Sequence, residues 1–338
     1  MESLQARITR AWHSNYSWVL LLWPVSIIFR LLACLRRCIL RSLYQGQQFL
    51  SPVVVVGNIS VGGSGKTPLI ISLAKQLIDR GLSIAIVSRG YGAKASSYPI
   101  SVEMHTLASE CGDEPLLIRH SLPLEKCHVV VDPDRRRAVN YALECFKPDL
   151  ILCDDGLQHY RLHRDVEIAI IDGSRGFGNK HCLPAGPLRE PIARLKSVDF
   201  VMVNGEHTLN SDIAIDALFK IKPTGLRHLA SGKVISIDDW VESKTVHALA
   251  AIGNPQRFAD TLVALDFMPI LLGFDDHETM VESDLVFEDD YPVIITSKDA
   301  IKFTATDLNH VWVLDIEAEM PPEFINSLLA TIDISPSK

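Results

Sequence analysis

Short apolar runs alternate with segments of helical periodicity from Phe49 to the end of the chain. This alternation is typical of an α/β fold in which a parallel sheet carries helices on both faces. A second, smaller αβ region is predicted after about residue 235, so we expect three parts: 1–44, 45–234 and 235–338. The strand candidates are Val53–Val56, Ser83–Ser88, Val129–Val131, Leu150–Cys153, Glu167–Ile171 and Phe200–Val203.

The amino-terminal segment has a different pattern. Residues 18–29 are almost wholly apolar, and three of the five tryptophans lie between positions 12 and 23. Ser26, Arg30, Arg37 and Arg41 fall near one helical face, which predicts a helix at a membrane interface with this face beside anionic lipid. Arg30 interrupts the run before the roughly 20 apolar residues that a spanning helix needs. Crossing the bilayer and burial as a core helix remain alternatives.

A glycine-rich stretch follows the first strand candidate and precedes a helix. That helix is predicted from Leu69, Leu73 and Leu77, and it should stop at Gly81. Strand, glycine loop and helix in this order predict a phosphate-binding loop, whose backbone N–H groups and helix N-terminus surround a phosphate. Lys66 is expected to neutralise the β- and γ-phosphates of ATP, and the Thr67 hydroxyl to ligate Mg²⁺. The predicted nucleotide-binding residues are Ser60, Val61, Gly62, Gly63, Ser64, Gly65, Lys66 and Thr67.

Two carboxylates, Asp154 and Asp155, end another strand candidate. An apolar strand that ends in acids is the arrangement that holds Mg²⁺ opposite the phosphate-loop threonine. Ligands of parallel sheets gather at the carboxyl ends of the strands, so polar residues there carry the functional information. The sequence therefore predicts a magnesium site at this edge, formed by Thr67, Asp154 and Asp155.

Three further stretches leave alternatives open. Residues 112–115 place Asp113 and Glu114 before a helix, which is typical of acids favoured by the helix dipole. Residues 186–191 form a proline-rich loop that a surface turn would also explain. Residues 134–137 follow a strand and open a helix, so a solvated helix start is favoured over anion binding.

Composition limits the possible partners. The 338-residue chain has 47% hydrophobic and 22% charged residues and a net charge of −8. This composition predicts a globular protein, and the negative charge argues against a nucleic-acid partner. Its seven cysteines lack metal-type spacing and are interpreted as reduced thiols of a cytosolic compartment. Nothing in the sequence requires an obligate protein partner.

Taken together, these stretches resemble the tetraacyldisaccharide 4′-kinases of lipid A biosynthesis. Each block is short, but the set in this order is specific and covers nearly the whole chain. The serine that opens the phosphate loop is itself a feature of the family. The matching blocks are residues 57–68, 88–92, 112–115, 154–159, 183–190, 253–255 with Arg257 and Phe258, and the pair Asp276 and His277.

The resemblance implies that the γ-phosphoryl group of ATP is transferred to the 4′-hydroxyl of a tetraacyl glucosamine disaccharide 1-phosphate, giving lipid IVA. It implies a phosphate-loop kinase on the cytoplasmic face of the inner membrane, with membrane lipids as neighbours and a smaller domain closing over the cleft. Asp113 would be the catalytic base and His277 its partner. Arg189 would meet the charge of the transferred phosphoryl group, and Glu190 is a further candidate ligand for Mg²⁺.

Two rival functions remain at this point. A membrane-recruited nucleotide switch would act by binding another protein, but the strand ends at Asn204 and Ser297 lack a proper Asn-Lys-x-Asp guanine-binding motif. A soluble small-molecule kinase would use the amino-terminal helix only as core. Lipid-dependent turnover distinguishes the first rival from the kinase, and partition after lysis without detergent distinguishes the second.

Overall fold

A computed structural model of the chain describes residues 4–14, 18–44, 48–206, 212–274, 278, 280–303 and 308–334. The strands are β1 Val53–Gly57, β2 Ile84–Ser88, β3 Ile100–Ser101, β4 Cys127–Val131, β5 Leu150–Asp154, β6 Val166–Asp172, β7 Phe200–Asn204, β8 Ala217–His228, β9 Val234–Ile235, β10 Thr245–Ala250, β11 Met268–Gly273, β12 Val293–Thr296 and β13 Val311–Glu319. The helices are α1 Leu4–Trp12, α2 Trp23–Tyr44, α3 Lys66–Asp79, α4 Ala108–Cys111, α5 Asp113–Ser121, α6 Arg135–Phe146, α7 Pro255–Ala264, α8 Ser297–Ala300 and α9 Pro322–Thr331.

All the strands except β9 follow one another across one sheet in the order β11-β10-β12-β13-β8-β7-β6-β1-β5-β2-β4-β3, with β9 paired to β8. Strands β1, β2 and β4 to β7 pair in parallel, and β1 lies between β5 and β6. These strands are apolar along almost their whole length because helices and connecting segments cover both faces. The predicted α/β fold and each predicted strand are confirmed within two residues at either end.

Strand β8 joins the two parts of the sheet. Its first residues pair in parallel with β7, and the rest of the strand pairs antiparallel with β13. The smaller part holds β10, β11, β12, α7 and α8 on a hydrophobic core of its own. Helix α9 returns to the first part, where Phe324, Ile325 and Leu328 join the core beneath α3. The division at residue 235 stays a prediction. The hydrophobic core of the first part includes side chains of α9, which lies near the carboxyl end of the chain.

The amino-terminal segment forms one helical stretch of 27 residues, Trp18–Tyr44, and the mean hydropathy of its most apolar 18-residue window is 2.1. By length and composition it could cross a membrane, and 11% of its most apolar window is buried. It lies along the first part of the molecule: Ser26 Oγ donates to the carbonyl of Cys182 at 2.6 Å, and Arg37 donates to Ser197 Oγ at 2.8 Å. The prediction that the face of Ser26 and Arg37 lies beside lipid is therefore wrong. Polar acceptors of the protein occupy that face, and the apolar face is left exposed.

Candidate active site

The phosphate loop connects β1 to α3, as predicted. Gly65, the residue before α3, has a φ of 86°, a conformation that favours glycine. A side chain there would also be 2.6 Å from the amide nitrogen of Asn204. Asn204 donates to the carbonyl of Ser64 at 3.2 Å, and Asn58 donates to the hydroxyl of the same serine at 3.3 Å. Two buried amides therefore hold the backbone and the side chain of Ser64 in place.

The proline-rich segment lies against the phosphate loop. Val61 N–H donates to the carbonyl of Pro187 at 2.8 Å, and Arg189 N–H donates to the carbonyl of Ile59 at 2.7 Å. Leu188 between them is fully buried. The surface-turn alternative is therefore wrong, because the segment forms a bridge with Ser60 instead of facing solvent. This bridge brings Arg189 to the carboxyl end of the sheet.

Asp155 pairs with two cations at that end. Its carboxylate is 3.0 Å from an Arg189 guanidinium nitrogen and 3.6 Å from Lys66 Nζ. Burial alone would raise the pKa of Asp155, but the attraction of Lys66 and Arg189 outweighs it and holds the pKa below its ordinary value. Asp155 is therefore ionised at neutral pH and orients both cations towards the phosphate loop.

Asp154 has the opposite environment. It is almost fully buried, and Ser88 Oγ donates to its Oδ2 at 3.1 Å. Its Oδ1 has no hydrogen-bond partner among the described residues. Burial, with Glu114 and Asp155 nearby, raises the pKa of Asp154 to about 7. A buried carboxylate oxygen without a partner, beside the phosphate loop, fits a divalent cation.

The other predicted metal ligands contribute unequally. Within the described part of the chain, no group of three or more His, Cys, Asp or Glu side chains could hold a metal. Mg²⁺ in kinases keeps several waters and binds through one or two carboxylates plus substrate phosphates. Glu190 accepts hydrogen bonds from Tyr160 and, at 3.0 Å, from Gln158. Its role as a metal ligand stays a prediction, as does that of Thr67, the second residue of α3.

Asp113 and Glu114 form the first turn of α5, next to the helix N-terminus. Gly112 is the N-cap, with a φ of 93°, and it gives no side-chain cap. The helix dipole therefore favours both acids at this position, as the simpler alternative predicts. Both acids also line the cleft that contains the phosphate loop. The Asp113 side chain is 16% exposed and lies 3.9 Å from Lys302 Nζ. His277 lies outside the described residues.

The helix start at residues 134–137 is only partly solvated. Asp134 caps α6 through a hydrogen bond from Arg136 N–H at 3.0 Å, and Arg137 is exposed beside Asp132. Arg135, however, is buried and donates to the backbone carbonyl of Asp154 at 3.1 Å. The predicted solvated start is therefore wrong for Arg135, because the end of β5 offers it an acceptor.

One cleft of about 2790 Å³ brings the predicted residues together. The apolar helix supplies part of its wall through Phe29, Leu32 and Arg36. Ser60 lines a small cavity behind the phosphate loop. The predicted site residues that line the large cleft are Val61, Gly62, Gly63, Ser64, Gly65, Lys66, Thr67, Asp113, Asp154, Asp155, Arg189 and Glu190.

Three residues near the site have no role there that the sequence pattern predicts. Asn204 lies at the end of β7, where the sequence pattern raises only the question of a guanine-binding motif. Lys298 and Lys302 reach the cleft from the smaller part of the molecule, in and just after α8. Their positions after β12 are the available signal, since polar residues that follow strands gather at the ligand edge of such a sheet.

Comparison with known proteins gives consistent results. Residues 18–333 match the family model described as tetraacyldisaccharide-1-P 4′-kinase. A tetraacyldisaccharide 4′-kinase of Ectopseudomonas mendocina is 44% identical over 95% of each chain, and one of Hahella chejuensis is 38% identical over 97% of each.

The fold has a counterpart among solved structures. A crystal structure of LpxK from Aquifex aeolicus in complex with ATP superposes with a TM-score of 0.77 at 27% identity, covering 93% of this chain and 99% of that one. The family match, the sequence identity and the shared fold all indicate the kind of protein that the phosphate loop and the strand-end acids also indicate. The chain belongs to the tetraacyldisaccharide-1-P 4′-kinase family.

Proposed function

We propose that this protein transfers the γ-phosphoryl group of ATP to the 4′-hydroxyl of a tetraacyl disaccharide 1-phosphate. One observation carries the proposal: a single cleft joins the phosphate loop, the carboxylates Asp113 and Asp154, and the wall formed by the apolar helix. An ATP site, a candidate base and an apolar surface in one cavity suit a kinase whose acceptor is a lipid. The matched relatives carry the same activity in their names.

Charge neutralisation and positioning account for most of the chemistry. Phosphoryl transfer passes through a loose transition state whose charge spreads over oxygens. Lys66 and Arg189, both held by Asp155, lie where they can meet that charge. Asp154 and Thr67 would hold Mg²⁺, which neutralises phosphate charge when it is bound. Asp113 would take the proton of the sugar hydroxyl, a contribution of about 10²–10⁴-fold.

The exposed helix face supports a membrane-bound acceptor. Ile28, Leu31 and Leu35 are 59%, 64% and 56% exposed. Apolar side chains exposed in a continuous row are unusual on a soluble surface and mark a partner or a lipid phase. Acyl chains resting on this face would bring the disaccharide head to the cleft that the same helix lines.

The packing of the helix favours lying in the membrane over crossing it. Contacts with the core extend from Ser26, at the Cys182 carbonyl, to Tyr44, whose ring lies 5.0 Å from the Arg136 guanidinium. At 1.5 Å per residue this is about 27 Å of helix. A hydrocarbon core is about 30 Å thick. A spanning helix would therefore have to break these contacts or draw the kinase core into lipid. We place the protein at the cytoplasmic face, where ATP is available.

The rival nucleotide switch has less support. The strand-end sequence at Ser297–Asp299 is the position considered for a guanine reader. Asp299 is fully buried and accepts hydrogen bonds from Thr296 Oγ1 at 2.7 Å and from Ala251 N–H at 3.2 Å. A carboxylate with these hydrogen bonds stabilises the fold of the smaller part and is not available to bind a guanine base.

The test is a transfer assay with the purified full-length protein, γ-labelled ATP and the acylated disaccharide 1-phosphate in mixed micelles. We expect label in the lipid, loss of that label in Lys66→Ala, and parental transfer in Lys222→Met. Lys222 is a suitable control because it pairs with Glu319 on the surface. Label released only as inorganic phosphate, at a rate that lipid does not change, would favour the nucleotide switch.

A further inference from the structure

Two lysines of the smaller part face the two acids that begin α5. Lys298 Nζ donates to Glu114 Oε1 at 3.2 Å, and Lys302 Nζ lies 3.9 Å from Asp113 Oδ2. The acids belong to the phosphate-loop part of the molecule, and the lysines belong to α8 and the turn after it. The two pairs therefore bridge the cleft at the position of the candidate base.

Lys302 is held more firmly than a surface lysine. Its side chain is 8% exposed, and its ammonium group donates to Asp299 Oδ1 at 3.0 Å and to the Glu278 carbonyl at 2.8 Å. Asp299 itself is anchored by Thr296 and Ala251. A buried cation on a buried anchor has few alternative positions, so it presents its charge at a fixed point.

The third interaction of Lys302 is with Asp113. At 3.9 Å it is an ion pair and too long for a hydrogen bond. Pairing with Asp299 alone would not require the ammonium group to lie beside an acid of the other part of the molecule. An opposite charge at this distance attracts the carboxylate and restrains its orientation.

We propose that Lys302 is a positioning residue that fixes Asp113 when the two parts of the molecule meet, with the Lys298–Glu114 pair closing the same contact. The inference rests on the proposed role of Asp113 as base. Lys302 couples the orientation of Asp113 to the position of α8. Asp113 is therefore correctly oriented for catalysis only when the smaller part lies over the cleft. A base out of place by about 1 Å costs about 10²-fold in rate.

The experiment measures steady-state transfer by the full-length protein with Lys302→Met, Lys302→Arg and the control Lys222→Met. We expect Lys302→Met to lower kcat about 30- to 100-fold with the KM for ATP changed less than threefold, since the phosphate loop is untouched. Lys302→Arg, which keeps the charge, should recover at least a third of the parental kcat. Lys222→Met should match the parent. Parental kcat in Lys302→Met would overturn the proposal.

A second arm separates positioning from general stability. In the Asp113→Asn background, Lys302→Met should change the residual kcat less than twofold, because a residue that acts through Asp113 has nothing left to position. The same fold loss in both backgrounds would overturn the proposal. Near-parental kcat in Asp113→Asn alone would instead refute the base assignment in the proposed function. If Lys302→Met does not fold, the Asp299→Asn/Lys302→Met pair, which removes both buried charges, takes its place with the same outcomes.

Discussion

Replacing Ile28, Leu35 and Ile39 by glutamine is expected to release the protein from lipid vesicles while leaving its ATP site intact. All three side chains lie on the exposed apolar face of α2, opposite the polar contacts that hold the helix on the kinase core. Ser26 and Arg37, which make those contacts, are unchanged in the variant. The substitutions therefore remove membrane affinity without undocking the helix.

The exposed fractions set the size of the effect. Ile28, Leu35 and Ile39 are 59%, 56% and 48% exposed, together equal to about 1.6 fully exposed side chains. Full burial of one such side chain contributes about 1.5–3 kcal/mol. The three together therefore contribute about 2.5–5 kcal/mol of membrane binding. With tenfold per 1.4 kcal/mol, we expect vesicle affinity to fall by roughly 60-fold to 4,000-fold.

The assay is cosedimentation with vesicles of phosphatidylethanolamine and phosphatidylglycerol, alongside ATP binding by calorimetry. A matched control carries glutamine at three exposed valines of the smaller part, Val241, Val263 and Val286. We expect the control to bind vesicles like the parent and both variants to bind ATP normally. Parental vesicle binding by the helix variant, or an equal loss in the control, would refute the assignment of this face to the membrane.

Three further predictions concern the cleft. Lys66→Ala should abolish transfer and weaken ATP binding, measured by calorimetry, because Lys66 is the cation of the phosphate loop; near-normal turnover would contradict its role. The pKa of Asp154 is raised by burial from 3.8 to about 7, so the ligand-free protein should lose stability as pH rises from about 4 through 7. Thermal unfolding checks this: Asp154→Asn, or saturating Mg²⁺ with ATP, should flatten the slope, and an unchanged slope would show that another group causes it. Asp113→Ala and His277→Ala should each lower kcat with ATP affinity nearly intact, and the double variant should be little worse than the worse single one; additive losses would exclude the pair.

The sheet and the phosphate loop could be predicted because local pattern determines them. A buried parallel strand must be apolar on both faces, and a glycine loop between strand and helix has few other uses. The position of Asp154 at the end of a strand is predictable for the same reason, since it directly follows the apolar run Leu150–Cys153. The opposite environments of Asp154 and Asp155 could not be read from adjacent positions, because groups distant in sequence determine them. Lys66 and Arg189 lower the pKa of Asp155, whereas burial with Glu114 nearby raises the pKa of Asp154.

The amino-terminal helix shows the limit of periodicity. The pattern separated a polar stripe containing Ser26 and Arg37 from an apolar face, but it could not say which of the two meets lipid. The acceptors that this polar stripe contacts, the carbonyl of Cys182 and the hydroxyl of Ser197, are about 160 residues away in sequence. The proximity of Lys302 to Asp113 is equally invisible in the sequence, since it depends on how the two parts of the sheet join through β8.

The position of the new phosphate on the lipid is the measurement that tests the proposed function most directly. The full-length protein is incubated with ATP and the tetraacyl disaccharide 1-phosphate, and the product is examined by phosphorus–proton correlation NMR. We predict a second phosphomonoester correlated with the proton at carbon 4′, absent from the product of Asp113→Ala. A phosphate at any other position, or a product that retains only the original 1-phosphate while ATP is consumed, would contradict the proposed reaction.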